Sequence, residues 1–207
     1  MNPLITSIKN SCAVFFSETT LAFKPVDLSR YVIAGSDMTL ALDNYRSNKR
    51  EVRVLRWFDD FWYYMEVNIV PTKTYPAIFV TISIFQGASD DDAKTQLFRA
   101  EWDNYNNNTV HPQPHWHIYP FKYDSKTYDD FEVYNDMKSE EEAASGFEAQ
   151  VLQKKNKIID IRNIHFAMNG QWSEKKGCIH SITDDNTIIN WITGILGHIK
   201  EQLEYAR

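Results

Sequence analysis

Cysteine is scarce in this chain: two residues, Cys12 and Cys178, in 207. Two thiols so far apart exclude a disulfide framework and a cysteine-rich zinc site, suit a reducing compartment, and have no motif context for a thiol nucleophile. Basic surplus is lacking too. Lys and Arg total 22 against 28 Asp and Glu, for a net charge of -6. This disfavours sequence-independent binding to a nucleic-acid backbone, although a nucleic acid still fits as a substrate held at a local site. Long apolar runs are absent as well. The longest, residues 61–65 and 77–85, fall far short of the roughly 18–20 residues that span a bilayer. The first 25 residues have no basic leader before their apolar stretch, which Lys9 interrupts, so they do not read as a signal peptide. No membrane association and a cytoplasmic location are the expectation. There is no GxxxxGK[ST], no GxGxxG and no GxSxG, so the usual phosphate loops and the serine nucleophile elbow are excluded.

What is present is a globular composition, 43% hydrophobic and 24% charged, with an unusually high 14% of aromatics. Leu4, Ile5, Ile8, Cys12, Phe15 and Phe16 recur at helical spacing and predict an amphipathic first helix packed on the body. Residues 28–48 are ambiguous, and 37–45 reads equally as a short helix or a strand. Residues 52–58 and 61–70 read as a hairpin turning at Asp59-Asp60. Residues 77–85 are apolar on both faces, as in a central, doubly covered strand. Residues 97–105 alternate, with Phe98, Ala100 and Trp102 facing one way and Arg99, Glu101 and Asp103 the other. After an Asn- and Pro-rich loop, 115–121 reads as the next strand. Short connections favour antiparallel neighbours.

Residues 123–157 are acidic and lack period-2 order, which predicts a helical excursion, and 158–168 returns to strand character. Asp184 or Asp185 caps a last helix running to about Tyr205, with Ile188, Ile192, Ile195, Leu196, Ile199 and Leu203 on one face. The expected fold is a single α+β domain over residues 1–207: an antiparallel sheet of about five to six strands with N- and C-terminal helices packed on it. Gly194 and Gly197 inside the last helix suggest close approach of the sheet.

The densest chemistry lies at 110–120, VHPQPHWHIYP, which holds three of the six histidines. On a strand, His115 and His117 share one face, about 6.6 Å apart, and Tyr119 continues it. Two imidazoles so placed can hold one divalent metal or act as an acid/base pair. His111 can fold back from a loop stiffened by Pro112 and Pro114. If the preceding strand pairs in the right register, Glu101 or Asp103 supplies a carboxylate beside them, and Arg99 can bind an anionic group; a slip of one residue separates the two sets. His165 or His180 is a further completing residue. The bland alternative is a solvated or structural polar network at each of these positions.

The string Pro114-His115-Trp116-His117-Ile118-Tyr119-Pro120 resembles the histidine-triad motif of nucleotide hydrolases and transferases. That family has three alternating histidines. Here the alternating positions are Gln113, His115, His117 and Tyr119, so two match, and the covalent nucleotidyl chemistry of the family is not implied. The HPxxHxH pattern of His111 to His117 followed by a C-terminal helix also resembles uncharacterised bacterial domains, some of which lie near phage-defence or toxin–antitoxin genes. The expectation is a histidine-centred hydrolase of a phosphodiester or nucleotide, working either through a bound divalent metal or by acid/base chemistry without one. In it His115 and His117 bind the metal or serve as acid and base, Glu101 or Asp103 is the third ligand or base, and Arg99, His111 and Tyr119 contact substrate. The rival is a non-catalytic subunit that binds a protein partner within a larger bacterial assembly. A ligand-binding sensor module is a third reading.

Overall fold

The computed structural model describes residues 1–45, 48–91, 94–103, 113–119 and 180–207. These form an eight-stranded, wholly antiparallel sheet and two helices. The strands are β1 (Ala22–Pro25), β2 (Arg30–Ala34), β3 (Met38–Tyr45), β4 (Asn48–Phe58), β5 (Phe61–Val70), β6 (Ala77–Gln86), β7 (Thr95–Asp103) and β8 (His115–Ile118). The helices are α1 (Pro3–Cys12) and α2 (Asp185–Tyr205). The α+β class and the terminal helices agree with the expectation. The strand count exceeds it, because the ambiguous stretch 28–48 contributes β2 and β3, and β1 precedes it. Histidines 111 and 165, the acidic stretch 123–157 and the segment 158–168 lie outside the described residues.

The sheet order is β1-β2-β5-β6-β7-β8, and β4 joins it by pairing with the start of β5. The turn between β4 and β5 is the anticipated Asp59-Asp60, with Phe58 opposite Phe61. Asp59 has φ 51°, a left-handed conformation that a short Asp side chain tolerates better than most. Strand β4 pairs with β5 through Leu55, Arg56 and Phe58, with a register shift between Arg56 and Phe58, and residues 48–54 pair with β3 instead. The β3–β4 hairpin can therefore fold over the sheet, where Asp43 meets Ser83 of β6 and Gln96 of β7.

The two faces of the sheet are chemically different, and strand alternation explains why. On one, Tyr63, Met65, Ile82, Ile84, Phe98, Ala100 and Trp102 join a continuous apolar cluster with Leu4, Ile5, Ile8 and Cys12 of α1 and with the six anticipated aliphatics of α2. The aromatics of residues 57–64 are core, as their spacing implies: Trp57, Phe61, Trp62 and Tyr63 are at most 1% exposed. On the other face, cross-strand register lines up Glu66, Thr81, Glu101 and His115 in one row, and Tyr64, Ser83, Arg99 and His117 in the next. A polar band thus crosses the sheet beneath the hairpin.

Helix α2 is capped by Asp184, whose side chain accepts from the Thr187 amide at 2.8 Å. Its glycines do not touch the sheet. Among the described residues, a Cβ on Gly194 would meet nothing within 4 Å, and one on Gly197 would meet the Phe15 ring, at 3.6 Å. With no close approach to preserve, Gly194→Ala is expected to raise stability by about 1 kcal/mol through helix propensity alone. This should appear as a rise in Tm of roughly 2–4 °C; an unchanged or lower Tm would mean that the glycine has another task.

Candidate metal centre

Strand β8 is short, and its placement follows from its alternation. Trp116 points to the apolar side and packs edge-on against Phe98, with ring centroids 5.8 Å apart. This turns His115 and His117 toward the polar band. The strand start is tied by the Asp103 amide donating to the Gln113 side chain (2.9 Å) and the His180 amide donating to the Gln113 carbonyl (2.7 Å). Its end is tied by the Tyr119 amide donating to the Leu97 carbonyl. The register that the sequence left open is the favourable one: His115 lies opposite Glu101, and His117 opposite Arg99.

Three ligand atoms converge there. Nε2 of His115 and Nε2 of His117 are 2.9 Å apart. The Glu101 Oε2 atom lies 3.4 Å from the first and 3.3 Å from the second. In a tetrahedral zinc site with bonds of about 2.0–2.2 Å, neighbouring donors stand roughly 3.3–3.6 Å apart. The triangle is slightly smaller than one face of such a site, so a small outward turn of either ring accommodates the ion. The group of Glu101, His115 and His117 can hold a metal ion. It is buried on the sheet side, with Glu101 10% exposed in its side chain, and opens toward His117, at 37%. Among the described residues, that opening is where water or substrate would complete the coordination.

The electrostatics suit the role. Burial pushes the Glu101 carboxyl up, but a hydrogen bond from His115 and the charges of Arg99 and His117 outweigh it and leave it below its ordinary value. Burial, then the neighbouring Arg99 charge, holds His117 below its usual value despite the opposing pull of Glu101. A carboxylate that stays ionised and an imidazole that stays neutral are the protonation states a metal requires.

The other expected residues are placed as follows. Arg99 is 3% exposed in its side chain and faces inward. Its Nε lies 3.0 Å from Glu101 Oε1, and it donates to the Asn44 carbonyl. Its observed partners are thus the Glu101 carboxylate and a backbone carbonyl. Tyr119 does share the histidine face, and its hydroxyl donates to the same Asn44 carbonyl at 3.0 Å. Asp103 lies two residues beyond Glu101 on β7 and is outside the converging group. His180 is also outside it; its backbone carbonyl accepts from the Trp102 indole at 2.7 Å.

Sequence reasoning missed the polar band behind the site. Asp43, fully buried, accepts from Arg50, Ser83 and Gln96. Arg50 also pairs with Glu66 at 3.2 Å, and Glu66 accepts from the Tyr64 hydroxyl at 2.6 Å. The available signals were Glu66 in the largely apolar strand β5 and Thr81 and Ser83 on one face of β6. Compared with protein-family models, with curated proteins and with solved structures, the chain matches none.

Proposed function

We propose that the protein is a metal-dependent hydrolase whose metal is held by Glu101, His115 and His117, and whose substrate is a phosphodiester or nucleotide. The observation that carries this reading is the convergence of two imidazole nitrogens and one carboxylate oxygen, with one side open. Two histidines and a glutamate form a donor set that holds catalytic zinc with a position left for water. A metal bound there lowers the pKa of that water and makes hydroxide available near neutrality. The anionic substrate follows from charge. Arg99 already balances Glu101, so a bound dication leaves the site with about two positive charges in a chain of net charge -6. A phosphodiester matches that local field. The wider setting we infer, a bacterial defence or toxin system, rests on the resemblance of the histidine segment alone.

The direct test is hydrolysis of bis(p-nitrophenyl) phosphate and of a panel of nucleotides by tag-free protein loaded with Zn, Mn or Co. Metal-dependent turnover that is lost in Glu101→Gln supports the reading. Metal binding without turnover on any phosphate ester would contradict the hydrolytic part. The rival reading, a partner-binding subunit, is favoured by Leu40 and Leu42 on the outer side of the hairpin, 46% and 41% exposed. It gains if the wild-type protein takes up no metal.

A further inference from the structure

Behind the three metal donors, an ion pair followed by a chain of hydrogen bonds runs into the β3–β4 hairpin. The Glu101 carboxylate is split: Oε2 faces the imidazoles and Oε1 faces Arg99. Arg99 and the Tyr119 hydroxyl both donate to one acceptor, the backbone carbonyl of Asn44. The Arg99 guanidinium also lies 5.9 Å from the Tyr119 ring centre. Asn44 is itself clamped, because its backbone amide (2.7 Å) and its side-chain amide (2.9 Å) both donate to Gln96 Oε1. Gln96 in turn donates to the buried Asp43 at 2.6 Å. Each link fixes the next one in space.

We propose that Arg99 is the positioning residue of this metal centre, oriented by the Asn44 carbonyl and Tyr119, so that the β3–β4 hairpin sets the metal affinity of a site it does not itself ligate. The inference rests on Glu101, His115 and His117 binding a metal. Its physical content is the orientation of one carboxylate: a glutamate on a strand has several rotamers, and occupying Oε1 with Arg99 leaves Oε2 aimed at the ion. Outer partners of this kind typically change metal affinity by about 10–100-fold.

The sign of the effect separates positioning from simple charge. Arg99 is a cation beside a cation site. By Coulomb's law alone, removing it should make a divalent ion bind more tightly. The positioning account requires the opposite. The experiment is titration of the full-length protein with Co(II), followed by its visible absorption spectrum and by competition with a chelator. Three variants are compared with wild type: Arg99→Met, Arg99→Lys and Tyr119→Phe. Arg99→Met is expected to bind Co(II) about 10–100-fold more weakly, with altered visible bands. Arg99→Lys keeps the charge without the planar fork and should recover affinity only in part. Tyr119→Phe removes one hydroxyl from a half-exposed ring, so it tests the chain of hydrogen bonds without threatening the core, and a several-fold weakening is expected.

Equal or tighter binding by a folded Arg99→Met with wild-type bands would overturn the proposal while leaving the metal site intact. If Arg99→Met does not fold, Tyr119→Phe decides, and wild-type affinity and spectrum in that variant overturn the proposal. Absence of Co(II) uptake by the wild-type protein would remove both the positioning role and the metal reading beneath it.

Discussion

The double variant His115→Ala/His117→Ala is expected to fold and to lose divalent metal by more than about 100-fold in affinity, since even losses of outer partners cost about 10–100-fold. Both rings lie on β8, the last strand of the sheet among the described residues, with side chains 14% and 37% exposed, and neither belongs to the apolar cluster. Their removal therefore opens no core cavity, and Trp116 still seats β8 against Phe98. The checks are metal content by elemental mass spectrometry, circular dichroism and Tm. A variant that keeps its metal would move the site elsewhere. A variant that unfolds, from a wild type that carries no metal, would make the histidines a structural network.

The pH dependence has a definite sign. His117 is held below its ordinary value near 6.5, first by burial and then by Arg99, and Glu101 is held below its ordinary 4.5. For His117, the unfolded chain takes up a proton more readily than the folded one, so acid costs stability as the pH falls through 6.5 and below. For Glu101, the stabilisation is present above its unfolded value and is lost as the pH falls through its folded one. Both groups remain in their metal-binding states to lower pH than free side chains would. Titration of the metal-free protein, followed by NMR, is thus expected to protonate His117 and Glu101 at lower pH than free side chains; a His117 midpoint at or above 6.5 would contradict this.

The second large effect concerns Arg50. It lies 3.0 Å from Asp43, which is fully buried, and 3.2 Å from Glu66, whose side chain is 11% exposed. Arg50→Met removes a cation shared by two buried carboxylates. Breaking a buried ion pair costs about 3–5 kcal/mol; because Arg50 is itself 28% exposed, the expected loss is about 2–4 kcal/mol. That corresponds to a fall in Tm of roughly 5–15 °C. Adding Asp43→Asn to Arg50→Met should recover part of the loss, since a neutral amide no longer needs the cation. A change in Tm below 2 °C would mean that water satisfies the carboxylates and that the hairpin is not held by charge.

Arg50 also shows why part of this fold was hidden in the sequence. Strands β5, β6 and β7 and helix α2 were legible because their apolar residues alternate or recur toward a core. Strand β3 inverts that rule: Leu40 and Leu42 point outward, while Ala41 and Asp43 are buried. An inward aspartate makes sense only with Arg50, Ser83 and Gln96 around it, and Ser83 and Gln96 lie about 40 and 50 residues away along the chain. No local pattern encodes that meeting.

The site was legible to the same depth. The spacing of His115 and His117 placed both rings on one face, and the alternation of β7 placed Glu101 beside Arg99. What joined them was register, which short-range pattern does not specify. It is determined here by the ties at Gln113 and Tyr119 and by the packing of Trp116. The inward turn of Arg99 was not foreseen, because the Asn44 carbonyl that receives it belongs to the strand whose pattern is inverted.

The proposed binding of one metal ion by Glu101, His115 and His117 can be seen directly by diffraction. The most direct measurement is an anomalous difference map from a crystal of tag-free protein soaked with zinc, recorded above and below the zinc edge. One strong peak is expected about 2.0–2.2 Å from Glu101 Oε2 and from both Nε2 atoms, on the open side beside His117. A fully soaked crystal with no peak at that position, or with its strongest peak on other residues, would contradict it.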